Sequence, residues 1–158
     1  MADKKLFNMK NRIWLVSLLG GILCSLSWYD KATGLIMLTA MVPFLYIFRY
    51  SIHTNSHASL VFIRVLPGFI LFNLLTISWI RNASIAGAFY AVTVNAFLMS
   101  SVFWLAAVIY KRSTSFLGYT SLLSFWIIME HINSRVSIFT PWLSLGNACL
   151  LYTSDAAD

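Results

Sequence analysis

Charged side chains are scarce in this sequence. They make up 10% of its 158 residues, whereas 59% are hydrophobic, and an ordinary soluble domain is about a quarter charged and under half apolar. Apolar runs follow one another with only a few polar residues between them, so a soluble core would have no polar shell to cover it. The composition excludes an ordinary soluble domain and indicates a chain surrounded by lipid.

Cysteine and clustered metal ligands are also scarce. Cys24 lies inside an apolar run and Cys149 lies near the C-terminus, so no disulfide framework can be read. No histidine or lysine stands near Cys24 to activate its thiol, which favours a packing residue. His53 and His57 have the spacing of metal ligands but no third ligand close in sequence. We therefore expect no metal site and no cofactor.

The excess of basic residues reflects membrane topology. The net charge is +6, but the basic residues are sparse and flank apolar runs, without the basic stripe of a nucleic-acid-binding surface. With the N-terminus in the cytoplasm, Lys31, Arg81 and Arg135 lie outside, and the other eight lie inside: Lys4, Lys5, Lys10, Arg12, Arg49, Arg64, Lys111 and Arg112. This distribution fits the positive-inside rule.

Five apolar segments predict an all-α, polytopic transmembrane helical bundle. They are Ile13 to Tyr29, Gly34 to Phe48, Ala58 to Ile80, Ile85 to Tyr110 and Phe116 to His131. The third and fourth are long enough to span about 30 Å of hydrocarbon at about 1.5 Å per residue. The other three are shorter and need longer neighbours to pack against. Because the runs do not alternate, a β-barrel is excluded.

The first segment has a second interpretation. A polar, basic stretch precedes it, which resembles a signal peptide, but no convincing cleavage site follows and further spans come next. We expect a retained first helix.

A few small or polar residues inside the spans predict helix contacts. Ser17, Gly21 and Ser25 recur every four residues, which permits a close helix approach. Asn73 and Asn95 lie deeper, where a hydrogen bond across the bundle is expected. Arg64 comes shortly after the start of the third segment, so its side chain can reach back to the cytoplasmic headgroups.

Glu130 is the only acidic residue within the five spans. An ionisable group in a span is costly and is a functional candidate by default, although a wet helix end at the interface explains it equally well. Pro141 and Gly146 flank a loop-forming stretch, and Trp142 between them suits an interfacial anchor. This stretch predicts a re-entrant or interfacial loop on the outer face.

The order of these motifs resembles the bacterial apolipoprotein N-acyltransferases. In that family a glutamate near a helix end is followed by Pro-Trp-Leu and then Leu-Gly. The matching residues here are Trp126, Glu130, Pro141, Trp142, Leu143, Leu145 and Gly146. Further matches are Leu26-Ser27, Gly34-Leu35, Val42 to Leu45, Gly68-Phe69 and Ser78 to Ile80, so the resemblance covers about residues 13 to 147. Two positions depart from the family pattern: Asn133 replaces a frequent arginine, and Thr140 replaces a frequent phenylalanine.

The resemblance implies a multi-pass enzyme of the bacterial inner membrane. It transfers an acyl chain from a phospholipid to the N-terminal diacylglyceryl-cysteine of a lipoprotein, so both are implied partners. Its chemistry belongs to an extracytoplasmic nitrilase-like domain with a cysteine, a glutamate and a lysine. We find none of these catalytic residues here. Glu130, Pro141, Trp142 and Gly146 remain candidates for substrate or lipid contact, and the oligomeric state stays open.

The sequence divides into four expected parts, the last of which is an unusual C-terminal tail. Residues 149–158 resemble the translation of a sequencing-library adapter, so we expect the natural sequence to stop near Ala148; a genuine polar tail is the alternative. The expected parts are a cytoplasmic segment 1–12, a transmembrane domain 13–132, an extracytoplasmic Pro-Trp loop 133–148 and the tail. The competing hypothesis is a complete small membrane scaffold or transporter, although no internal repeat supports a transporter.

Overall fold

Six α-helices and a short 3-10 segment at residues 81–82 make up the secondary structure of the described residues. The computed structural model describes residues 2–27, 36–77, 81–82 and 84–135, and for residues 2–11 and 38 it describes the backbone alone. The helices are α1 (Ala2–Leu26), α2 (Ile36–Ala40), α3 (Val42–His53), α4 (Ala58–Ile77), α5 (Ile85–Arg112) and α6 (Ser115–Arg135). The chain is an all-α membrane bundle, which confirms the predicted fold class.

The second predicted segment folds as two helices instead of one. The chain turns at Met41, between α2 and α3, and Pro43 lies in the first turn of α3. A proline lacks the backbone N–H and disfavours helical geometry in the residue before it, so a helix tends to begin there. The apolar pattern continues across this break, which is why hydropathy alone did not reveal it.

The predicted breaks that fall within the described residues are confirmed. Residues 54–57 separate α3 from α4, and residues 113–114 separate α5 from α6. Ser84 caps α5, since its Oγ accepts a hydrogen bond from the N–H of Gly87 at 3.1 Å. The predicted break at 30–33 lies outside the described residues. At the other end, α6 continues to Arg135, three residues into the predicted loop 133–148.

α4 and α5 are long and apolar enough to cross a membrane, as predicted for the third and fourth segments. Large apolar side chains cover the outward faces of the bundle; Phe89 is 74% exposed and Ile127 is 66% exposed. In water such a surface would promote aggregation, whereas in a bilayer it contacts acyl chains.

The core is an aromatic cluster between α3, α4, α5 and α6. The rings of Phe44 and Phe69 stack at 4.2 Å between centroids, and Phe103 lies 5.7 Å from Phe69. Trp126 of α6 completes the cluster, with its ring edge-on to Phe103. These contacts fix how four helices pack around one centre.

α1 and α4 approach each other closely, as the spacing of small residues predicted. Ser17 Oγ accepts a hydrogen bond from the N–H of Gly68 at 3.0 Å and lies 3.3 Å from the carbonyl of Val65. A Cβ on Gly21 would lie 2.3 Å from the carbonyl oxygen of Gly68. Only glycine fits where two backbones meet at this distance.

The bundle has two chemically different ends. The first is formed by residues 54–57 and 113–114, with Arg64, Lys111 and Arg112 beside them; it is called the basic end below. The second, called the opposite end, contains the C-terminus of α4, Arg81 and the N-terminus of α5. α4, α5 and α6 alternate in direction between these ends, as the short connections require.

Candidate functional site

Three buried asparagines form a chain of amides across the bundle. Asn95 of α5 donates from Nδ2 to Oδ1 of Asn73 in α4 at 2.9 Å, and Asn133 of α6 donates to Oδ1 of Asn95 at 3.4 Å. Asn73 in turn donates to the carbonyl of Phe69 at 2.7 Å. The predicted hydrogen bond between spans is confirmed. An amide in a lipid-surrounded bundle needs such a partner, because leaving it unpaired costs free energy.

Asn133 leaves the chain of amides open at one end. Its side chain is 8% exposed, and no donor among the described residues meets its Oδ1. The three amides lie about 23 to 27 Å from the basic-end termini of their helices at about 1.5 Å per residue. They therefore form a polar layer nearer the opposite end, in the half of the bundle where α6 carries Glu130.

Glu130 lies inside α6, where it is paired with an aromatic residue one turn earlier. The indole N–H of Trp126 donates to Glu130 Oε1 at 2.9 Å. Trp126 is buried and belongs to the aromatic core, while Glu130 is half-buried. The pairing links the carboxylate to the packed centre of the bundle.

An apolar groove runs between α4 and α5 at the opposite end. Its volume is about 540 Å³, and its walls include Leu66, Ile70, Ala88 and Phe89. Arg81 is the one charged residue among those that line it, and this residue is exposed. The α5 wall runs from Ile85 to Phe97, about 18 Å at about 1.5 Å per residue, which is comparable with the roughly 15 Å hydrocarbon depth of one leaflet.

The remaining sequence candidates lie elsewhere. Arg64 reaches toward the basic end, where its Nη1 donates to Ser51 Oγ at 2.7 Å. Cys24 is buried against α2, with its sulfur 3.8 Å from the carbonyl oxygen of Ala40, which confirms the packing interpretation. His53 and His57 are exposed, and no group of three metal-ligating side chains occurs in the described part of the chain. Pro141, Trp142 and Gly146 lie outside the described residues.

Sequence reasoning missed that Asn133 joins the chain of amides and that Arg81 lines the groove. Asn133 was noted only as a departure from a motif at the start of a loop, but it is helical and buried. Its partner Asn95 is 38 residues away in the sequence, so no local pattern could reveal the contact. The helical spacing of Asn133 with Met129 and Trp126, which are both buried, could have indicated that Asn133 is buried, but not which residue it contacts.

The comparison with protein families identifies the family of this chain. Residues 20–154 match the family model for the apolipoprotein N-acyltransferase N-terminal domain. No curated protein and no solved structure matches the chain. The matched range covers α2 to α6 and the last seven residues of α1, and it contains the amide chain, the Trp126–Glu130 pair and the groove. The chain belongs to the family of apolipoprotein N-acyltransferase N-terminal domains.

Proposed function

We propose that this chain is the membrane-embedded part of an apolipoprotein N-acyltransferase. Such an enzyme transfers an acyl chain from a phospholipid to the N-terminal diacylglyceryl-cysteine of a lipoprotein. The observation that carries the proposal is the family match over residues 20–154. The enzyme would act in the bacterial inner membrane, with the basic end in the cytoplasm, because lysine and arginine accumulate on that side.

The groove between α4 and α5 supports a phospholipid as the acyl donor. Its apolar walls suit an acyl chain, and exposed Arg81 at its end suits the phosphate of a headgroup. The groove lies at the opposite end of the bundle, which this orientation places at the outer leaflet. A donor lipid held here would present its ester near the outer face.

Glu130, Pro141, Trp142 and Gly146 are proposed to contact lipid or substrate at the same face. For Glu130, the support is its position near the amide layer and its hydrogen bond from Trp126, which holds the carboxylate in place. For the other three, the support is the sequence motif alone.

Acyl transfer of this kind needs an activated thiolate, and Cys24 is unsuited to that task. It lies in α1, is 2% exposed and packs against α2, with no basic side chain bonded to it in the described part of the chain. A thiol in apolar surroundings stays protonated and weakly nucleophilic. The proposed role of this chain is therefore to bind and orient lipid, with a nitrilase-like domain supplying the chemistry.

A groove-filling substitution tests the lipid site. The 158-residue protein is reconstituted in nanodiscs containing a phospholipid with a photoreactive acyl chain, and the labelled peptides are identified by mass spectrometry. We expect strong labelling of the α4 and α5 walls, reduced severalfold by Ala88→Trp. Ile127→Trp, on a lipid-facing surface of α6, is the matched control and leaves it unchanged. Even labelling of all outward faces, unaffected by Ala88→Trp, would contradict the proposed site.

A further inference from the structure

Two cations from different helices meet on one serine at the basic end. Arg64 of α4 donates from Nη1 to Ser56 Oγ at 3.3 Å, and the ammonium of Lys111 in α5 donates to the backbone carbonyl of the same Ser56. Ser56 lies in the loop between α3 and α4. Arg64 is only 8 residues from Ser56, whereas Lys111 is 55 residues away, so the fold brings two positive charges to the same place.

Arg64 is held in a fixed position by several groups. Besides Ser56, its Nη1 donates to Ser51 Oγ at 2.7 Å, and its guanidinium carbon lies 5.6 Å from the centre of the Tyr50 ring. Ser51 is fully buried and Tyr50 is half-buried. A long cation that merely extends toward headgroups needs no such support, so these contacts indicate preorganisation for a ligand.

The loop itself is shaped around these contacts. Asn55 adopts a left-handed backbone conformation with a φ of 49°, which turns the chain sharply. Thr54 Oγ1 lies 2.8 Å from Ser56 Oγ, and the N–H of Ser56 donates to the carbonyl of Ser51 at 3.1 Å. These bonds fix the carbonyl and the hydroxyl of Ser56 to which the two cations bind.

No carboxylate neutralises this pair among the residues whose side chains the structure describes. Arg64 and Lys111 form no ion pair there, and the acidic side chain of that part of the chain, Glu130, lies on α6 toward the opposite end. A guanidinium has five N–H donors, and only Nη1 of Arg64 is engaged by the two hydroxyls. Two like charges close together repel, and an anion between them relieves that repulsion.

We propose that Arg64 and Lys111, positioned by Ser51 and Ser56, form a phosphate-binding site at the basic end of the bundle. Phosphate suits the site because it is an anion with several acceptor oxygens that a guanidinium and an ammonium can share. The phosphate belongs either to an anionic lipid headgroup of the leaflet on that side or to free phosphate. This site is separate from the acyl-donor groove and does not depend on the proposed function.

Lipid binding to single-charge variants tests the site. The 158-residue protein is purified in detergent with phosphatidylglycerol added, and retained lipid is counted by native mass spectrometry. Arg64→Gln and Lys111→Gln should each weaken retention about tenfold, the loss of one charge-assisted contact. Arg112→Gln removes the same charge from the neighbouring exposed residue and should have little effect. Equal losses in all three variants would overturn the proposal, because they would show general charge attraction.

Two further measurements separate the sources of phosphate and guard against misfolding. Inorganic phosphate is titrated against bound phosphatidylglycerol: displacement at millimolar concentration assigns the site to free phosphate, and its absence assigns the site to the lipid headgroup. Lys111 is exposed, so Lys111→Gln should keep the helical circular dichroism of the parent and remains informative if Arg64→Gln unfolds. If Lys111→Gln weakens the binding of neither phosphatidylglycerol nor inorganic phosphate, the proposal is overturned.

Discussion

At the residue scale, the three asparagines differ in what their hydrogen bonds contribute. Asn95 lies in the middle, bonded to both Asn73 and Asn133. Removing it leaves two buried amides short of a partner. Asn133 has one long hydrogen bond and an acceptor that no described donor meets, so its amide contributes less to the free energy of unfolding.

This asymmetry predicts outcomes of different size for two substitutions. Asn95→Ala should lower the free energy of unfolding by about 1–2 kcal/mol, since interhelical hydrogen bonds in membranes are worth about 0.6–2 kcal/mol. Asn133→Leu removes one long hydrogen bond to Asn95, but it also removes an unsatisfied acceptor while conserving volume. The two effects offset each other, so stability should change by less than about 0.5 kcal/mol. Unfolding in mixed micelles by titration with a denaturing detergent, followed by circular dichroism, measures both. A larger loss for Asn133→Leu than for Asn95→Ala would contradict this account.

The residue scale also shows the limit of reading the sequence. Asn73 and Asn95 were predicted to bond because each amide in an apolar span requires a partner. The third partner could not be predicted, since the position of Asn133 depends on how far α6 extends and how it rotates. The meeting of Arg64 and Lys111 on Ser56 was hidden for the same reason, because it requires three helices to be in place.

At the element scale, the contact between α1 and α4 depends on glycine. A Cβ on Gly68 would lie 2.2 Å from the carbonyl oxygen of Ser17, and a backbone atom cannot move aside as a flexible side chain can. A Cβ on Gly87 would meet the Ser84 side chain at 3.3 Å. The two positions provide a matched comparison within helices.

Gly68→Ala should force α1 and α4 apart and lower the free energy of unfolding by about 1–3 kcal/mol, the usual cost of overpacking. Gly87→Ala should be close to neutral or slightly stabilising, since alanine favours the helix over glycine. The same unfolding titration measures both variants. Equal stability of the two variants would show that α1 does not pack on α4 as described.

The elements themselves followed from hydropathy and local signals, with one exception. The loops after α3 and α5 were predicted because polar residues interrupt apolar runs there. The break between α2 and α3 was not, since Met41 and its neighbours are apolar and only Pro43 marks the turn. Hydropathy locates spans, whereas the backbone restrictions of proline locate breaks within them.

At the scale of the whole molecule, the orientation in the membrane is a prediction from charge alone. It places Ser113, in the connection between α5 and α6, in the cytoplasm and Asn82, beside Arg81, outside. In a background with Cys24→Ser and Cys149→Ser, Asn82→Cys should react with a membrane-impermeant maleimide in intact spheroplasts. Ser113→Cys should react only after permeabilisation. The reverse pattern would invert the proposed topology.

The central claim, that this bundle serves acyl transfer to lipoproteins, is tested most directly by activity. The measurement is transfer of a labelled acyl chain from phospholipid to a diacylated lipopeptide, by the product of the complete source gene and by the 158-residue chain side by side. The account predicts transfer by the complete product and none by the 158-residue chain, whose Cys24 is buried. A complete product that is folded in the membrane yet transfers no acyl chain would contradict the account.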